Sequence, residues 1–494
     1  MKRITFITGL FILCICQTTS AQTFDDYKKQ ISQKFEQHKT EQRKKYNAYR
    51  DSLNKAFAEY MRKPWVKHTV KPAIPVPSKP KPTTPPVAEL PGKGLNIPKG
   101  KELKPSGIAN VPNNIPTPEV KRPDVKPINI KPTDSGFKFN YYGTNCALSL
   151  KDSHRFSLKG IYENHVADAW EVLSKPHYDI IIEECLAWKN KLNMCDWGYV
   201  TFIKNACNTF FGPTKCNESK LMQMFLLTHS GYMVRMGRID QQLVILLPSE
   251  ESIFQYPYFP VDGYKYYMYD KDCSGSCYLL EYKIPREKNV NFHLTGEQEF
   301  AYAPTPKRTF TSERYPNVSV TVEENKNLID FFSTYPLGNT KTVYAKCAMS
   351  ADAKEQLYPA LRNAIAGKSE AEAANILLNF VQTAFQYKTD GEQFGIEKPM
   401  FTDEMLYYPY CDCEDRSFLY STLMHDLMGL DVVLLEYPRH LATAVAFKDE
   451  TITGPHYVIN GKKYFVCDPT YIGAEICRVM PMYENTNAKI IKLK

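Results

Sequence analysis

The stretch "CNESKLMQMFLLTHSGYMVRMGRIDQ" at 216–241 has the layout of "CEDRSFLYSTLMHDLMGLDVVLLEYPRH" at 413–440, and this parallel constrains the fold more than any other feature. In both, a cysteine opens an apolar helical stretch closed by a glycine, Gly231 or Gly429, and eleven residues later comes Gln242 or His440. Further on, "DGYKYYMYD" parallels "NGKKYFVCD", so Gln242 to Asp270 and His440 to Asp468 are both 28 residues. Upstream, "YDIIIEECLAWKNKLNMCDWGY" parallels "AANILLNFVQTAFQYKTDGEQF". We read this as an internal duplication, which requires that one fold serve both copies.

The rest of the chain divides around that pair. Residues 1–21 carry Lys2 and Arg3, an apolar run and a small-residue exit, the pattern of a secretory signal peptide cleaved before Gln22. Neither Cys14 nor Cys16 follows a small residue, which argues against a lipid anchor. Residues 22–63 form an amphipathic helical segment, a helix or helical pair, either a docking element or a solvated helix with one packed stripe. Residues 64–134 hold 17 of the 34 prolines and many lysines, so they are expected to be an extended, disordered linker with polyproline II character, without sheet ladders. Residues 135–285 hold the first copy, and 286–494 the second with a β-rich lead-in, which suggests two domains.

Composition excludes some functions. No stretch after the leader approaches the ~18 apolar residues of a membrane span, and a formal charge of +8 that includes the leader and linker does not argue for nucleic acid. The chain is therefore expected to be soluble and exported, periplasmic or secreted. Twelve of the 14 cysteines follow the leader, and in an oxidising compartment some should pair, with Cys273–Cys277 and Cys467–Cys477 as candidates. Their spacing does not read as a zinc site, and no cofactor is expected.

The second copy carries the chemistry. In "YYPYCDCEDRSFLY", Asp412 is the N-cap of a helix whose apolar face runs through Phe418, Leu419, Leu423, Met424, Leu427 and Met428 to Gly429. Cys413 then sits in the first turn, where unpaired N–H groups and the helix dipole favour a thiolate, while Glu414 and Asp415 oppose it, so the thiol needs an imidazolium partner. His440 opens the second of two β stretches, and Asp468 ends a hairpin turned by Asn460-Gly461. Neighbouring antiparallel strands bring the imidazole beside the carboxylate, and the three make an activated nucleophile.

With "CEDRS" at a helix start, "YPRHLATAV" at a strand and "YFVCDPTY" at a hairpin end, the chain resembles the transglutaminase-like superfamily. More narrowly, "EQFG", "YPYCDCEDRS" and "VCDPTYIGA" resemble the exported transglutaminase-like proteins of Bacteroidetes-type bacteria. The resemblance spans residues 385–474 and implies an α+β, papain-like fold for the second copy, with cysteine chemistry on amide bonds. It makes Cys413 the nucleophile, His440 the base and acid, Asp468 the orienting carboxylate and Gln393 a candidate oxyanion donor.

Each residue has a plainer reading. Cys413 could be a buried or disulfide-bonded cysteine, His440 a surface histidine, and Asp468-Pro469 a turn opener. Cys411 is the rival nucleophile and His456 an alternative base, whereas His425 lies about three helical turns from Cys413. In the first copy Gln242 cannot take a proton from Cys216, so that copy is expected to be degenerate, with Cys216 and Asp270 as remnants. The expected activity is an exported peptidase or amidase acting on peptide or isopeptide bonds, with envelope proteins or cell-wall peptides as candidate substrates. The alternatives are a crosslinking transglutaminase and a non-catalytic envelope scaffold.

Overall fold

The helix Cys413–Met428 forms where its local signals put it. The Asp412 side chain accepts from Glu414 N at 2.8 Å, and Asp415 reaches back to Asp412 N at 2.9 Å, a capping box. At the other end Gly429 adopts φ 63°, and Leu430 N returns to Met424 O at 3.2 Å. The expected single apolar face understates its burial. Every residue from Cys413 to Met424 is buried, because the helix packs on the helix Glu370–Thr383 on one side and on the strand His440–Ala446 on another.

This computed structural model describes residues 24–77, 84–88, 100–109 and 136–493, apart from 176–177, 250–251, 262, 270–274, 283–286 and 295. The expected signal peptide and Asp270 lie outside them.

Two sheets organise the chain from Tyr60 onward. The first orders its strands Val66–Thr69, Ser276–Leu279, Arg235–Ile239, Gln242–Ser249, Tyr264–Met268 and Tyr258–Val261, all antiparallel. The second runs Glu102–Leu103, His456–Ile459, Lys462–Cys467, His440–Ala446, Asp431–Tyr437, Lys489–Lys492 and Gly107–Ala109, with only the two outermost pairings parallel. From its central hairpin outward, each sheet continues through a second hairpin on one side and a single later strand on the other. Ile239 pairs with Gln242 as Tyr437 pairs with His440, after turns that set Asp240 and Arg439 at φ 49° and 64°. Asn460 and Gly461, at φ 51° and 78°, make the expected type I′ turn. The strand His440–Ala446 is buried throughout, which explains its alternation of alanine with larger apolar residues.

Three expectations change. The linker does join the sheets: "VKHT", "EL" and "GIA" lie between its prolines and pair as edge strands. An edge strand needs partners on one side only, which suits short proline-free stretches. Second, residues 60–494 form one compact unit rather than two domains divided near 285. Cys195 N donates to Gln298 Oε1 at 2.8 Å, Cys195 Sγ lies 3.9 Å from Tyr335 Oη, and the Trp197 and Tyr335 rings are 6.4 Å apart, so the interior is continuous across that boundary. The lead-in to the second copy is one hairpin, Arg308–Thr311 with Ser319–Val322, followed by short helices. Third, Cys467 and Cys477, an expected pair, are both free thiols, while Cys273 of the other expected pair lies outside the described residues.

Residues up to Glu59 make a separate unit. Its described part belongs to a single helix, Phe24–Met61, uninterrupted because no glycine or proline falls within it. Ile31 and Phe35 of the expected apolar stripe are exposed.

Candidate active site

His440 and Asp468 arrive together because their strands are neighbours, with Thr443 paired to Cys467. Thr443 Oγ1 donates to Cys467 O at 2.5 Å and fixes that register at the site. His440 Nε2 lies 2.8 Å from Asp468 Oδ2, and both residues are buried. The other carboxylate oxygen accepts from Thr470 N at 2.9 Å, so Asp468 orients the imidazole and shapes the turn after it. Cys413, 1 % exposed, lies near the same imidazole and helps to hold its charge. With Nε2 held by Asp468, Nδ1 is the nitrogen left for the thiol. Ser417 Oγ, one turn along the helix, donates to Leu441 O at 2.9 Å and pins the helix start to the His440 strand.

Electrostatics favour a charged imidazole here. Burial alone would lower the His440 pKa, but the Asp468 charge and hydrogen bond, aided by Cys413, outweigh it and raise it to about 10. The two acids expected to oppose a thiolate have other partners. Glu414 pairs with Lys341 Nζ at 2.9 Å, and Asp415 accepts from the backbone at Met400 and Asp412, both at 2.9 Å.

The rival residues are placed elsewhere. Cys411 Sγ is buried between Gln386 O at 3.6 Å and Arg416 Nε at 3.4 Å, and burial pushes its thiol up to about 12. That is a structural thiol, anchoring the one buried arginine of the helix, whose Nη2 also donates to Phe385 O at 2.7 Å. His456 lies two strands from His440 and holds Gly454 O at 2.9 Å, while His425 is exposed at the far helix end beside Asp426. Gln393 ends the short helix Asp390–Gln393, and one N–H of its amide donates to Tyr410 O at 3.3 Å, bracing the strand before Cys413.

Comparison with known families, curated proteins and solved structures gives no match to this chain. The site therefore rests on its own geometry.

Sequence reasoning missed two residues of this site. Gln382, buried in the helix Glu370–Thr383, gives Nε2 to the carbonyls of Asp468, Tyr471 and Ala474 at 3.0, 2.8 and 3.0 Å and accepts from Gly473 N at 3.2 Å. One amide thus holds the whole loop that carries Asp468. Gln382→Leu is expected to destabilise the fold by about 3 kcal/mol, since several buried backbone groups lose their partner, and urea unfolding measures it. Tyr483 stacks on the imidazole, with rings 5.3 Å apart and 5° from parallel, and its hydroxyl donates to Pro438 O at 3.1 Å.

The carboxylates of Asp390, Glu397 and Asp412 come within 4.8 Å of one another just ahead of Cys413, the hard-oxygen donor type that suits a cation such as calcium. Asp390 Oδ2 and Asp412 Oδ1 already accept backbone N–H groups, from Lys398 at 3.0 Å and Glu414 at 2.8 Å.

In the parallel stretch at 216–241, Cys216 opens its helix but is exposed, and its thiol donates to Pro213 O at 3.0 Å. Gln242 opens the equivalent strand, tied to the helix by Asn217, which accepts from Leu243 N at 2.9 Å. No imidazole occupies the His440 position there.

Proposed function

We propose that the chain is a cysteine hydrolase of peptide or isopeptide bonds, with Cys413, His440 and Asp468 in the roles that the transglutaminase-like resemblance implies. One observation carries the reading: a buried imidazole held by a carboxylate at 2.8 Å, with a buried cysteine at a helix N-terminus near enough to act on its charge. On this reading Cys413 sulfur attacks the amide carbonyl, and His440 delivers a proton to the departing amine. Water then gives a proton to His440 and its hydroxide to the thioester, releasing the acid and restoring the Cys413 thiolate beside the protonated imidazole. The same topology in the first sheet supports a duplication whose first copy lost this chemistry with Gln242.

Incubating the protein with crosslinked peptides and an added lysine-like amine tests the reading. New amino termini that depend on Cys413 support hydrolysis. Amine incorporation without cleavage supports a transglutaminase, and neither product supports a scaffold.

Tyr483, in the turn Pro481–Tyr483, packs on the His440 ring, and its phenol senses the Cys413 charge. Tyr483→Ala is accordingly expected to speed modification of Cys413 by a small alkylating agent about tenfold, measured by mass spectrometry, while loosening the imidazole it stacks on.

A further inference from the structure

A cavity of about 1270 Å³ lies between the helices Asp196–Phe211 and Cys216–His229, the turn at Gln241 and the segment 396–404. Cys413, His440 and Asp468 do not line it. Sites for single small molecules run to roughly 300–1,000 Å³, so this volume suits a short oligomer.

Its walls lack hydrogen bonds that a ligand can supply. Trp197 Nε1, Tyr269 Oη and Asn205 Oδ1 all line the cavity, and each is buried without a hydrogen-bond partner. Trp197 as a whole is only 5 % exposed. Two donors and one acceptor left unmade cost roughly 1–3 kcal/mol each, which a ligand rich in both recovers. Around them stand uncharged amides, among them Asn208 and Gln255, and a run of rings in which Trp197–Tyr269 and Tyr256–Tyr269 are 5.0 and 4.8 Å apart. The wall carboxylates are engaged by the protein: Glu404 pairs with Lys398 at 2.7 Å, and Glu218 accepts from Leu158 N at 3.1 Å.

Aromatic faces for C–H surfaces, amides for hydroxyls and no unpaired wall carboxylate are the chemistry that recognises a sugar chain. A neutral peptide is the rival. Extended peptides, however, are captured largely by adding to an open strand edge. The strand lining this cavity, Gln242–Ser249, is already paired on both sides, by Arg235–Ile239 and by Tyr264–Met268. We infer that the cavity is a binding site for a neutral oligosaccharide, which goes beyond the proposed hydrolase and does not depend on it.

Cys216 is a built-in reporter. It lines the cavity and is the exposed thiol among the described cysteines. The full chain carrying Cys413→Ser, in which catalysis plays no part, is titrated with tetrasaccharides of glucose and of N-acetylglucosamine. Calorimetry and the alkylation rate of Cys216 are read together. At least one sugar is expected to bind with a dissociation constant of about 1 mM or tighter and to slow Cys216 alkylation about fivefold at saturation. Asn205→Leu is expected to weaken that binding about tenfold without lowering the melting temperature. The inference is overturned by no binding up to about 10 mM, by binding that Asn205→Leu does not alter, or by protection from an uncharged hexapeptide but not from the sugars.

Discussion

Asp468→Asn is expected to slow cleavage of a peptide substrate by ~10²–10⁴-fold, the range that general acid–base groups contribute. The substitution preserves shape, and the amide oxygen still accepts from Thr470 N, but the charge facing His440 is gone. Burial, which alone would lower the His440 pKa, then prevails, and the imidazole that stood at about 10 becomes neutral at neutral pH. The proton for the leaving amine goes with it. The stability consequence has a fixed sign. A histidine whose folded pKa lies above its unfolded ~6.5 contributes stability that is full below ~6.5. That contribution is lost as pH rises through about 10. Urea midpoints of the wild type and the variant should therefore differ most near pH 6 and converge toward pH 10, and a constant gap would contradict the charge-based account.

Glu324→Leu is expected to stabilise the protein, by about 2–4 kcal/mol at pH 7.5. Glu324 follows the strand Ser319–Val322, is 1 % exposed, and neither carboxylate oxygen has a hydrogen-bond partner. Only its backbone is satisfied, with its N–H bound to Thr305 Oγ1 at 2.8 Å and its carbonyl to Thr305 N at 2.9 Å. Burial, with Asp403 and Asp352 nearby, raises its pKa to about 10, and Asp403 is itself buried and raised to about 6. Between about 4.5 and 10 the folded state must keep a proton that the unfolded state releases, so stability falls as pH rises through that window. Leucine has nothing to titrate. Its advantage should grow steadily from pH 4.5 and reach its full size only as pH passes about 10, as measured by denaturant unfolding across pH. A stability difference independent of pH would mean that Glu324 ionises freely.

The parts of the site that local chemistry writes were legible in the sequence. The Asp412 cap, the Gly429 stop and the Asn460-Gly461 turn each depend on a few adjacent residues, and each stands where expected. What stayed hidden acts across sequence distance. Gln382 grips a loop 86 residues away, Lys341 neutralises Glu414, and Tyr483 returns from near the chain end to cover His440. Nothing in "NFVQTAF" marks its glutamine as the clasp of the Asp468 loop. The linker misled for a related reason. Its proline density argues correctly against a core of its own, yet says nothing about short proline-free stretches borrowing an edge from a sheet formed elsewhere. Cys411 and Cys413 are told apart only by their surroundings, since the first faces Arg416 and the second His440.

That contrast sets the deciding measurement. The protein is treated with a peptide bearing a thiol-directed electrophile, and the adducts on Cys413, Cys411 and the exposed Cys216 are followed over time by mass spectrometry. The proposed reading predicts modification at Cys413 faster than at Cys216, none at Cys411, and loss of the Cys413 adduct alone in His440→Ala. Modification of Cys216 first, with Cys413 slow and indifferent to His440→Ala, would contradict it.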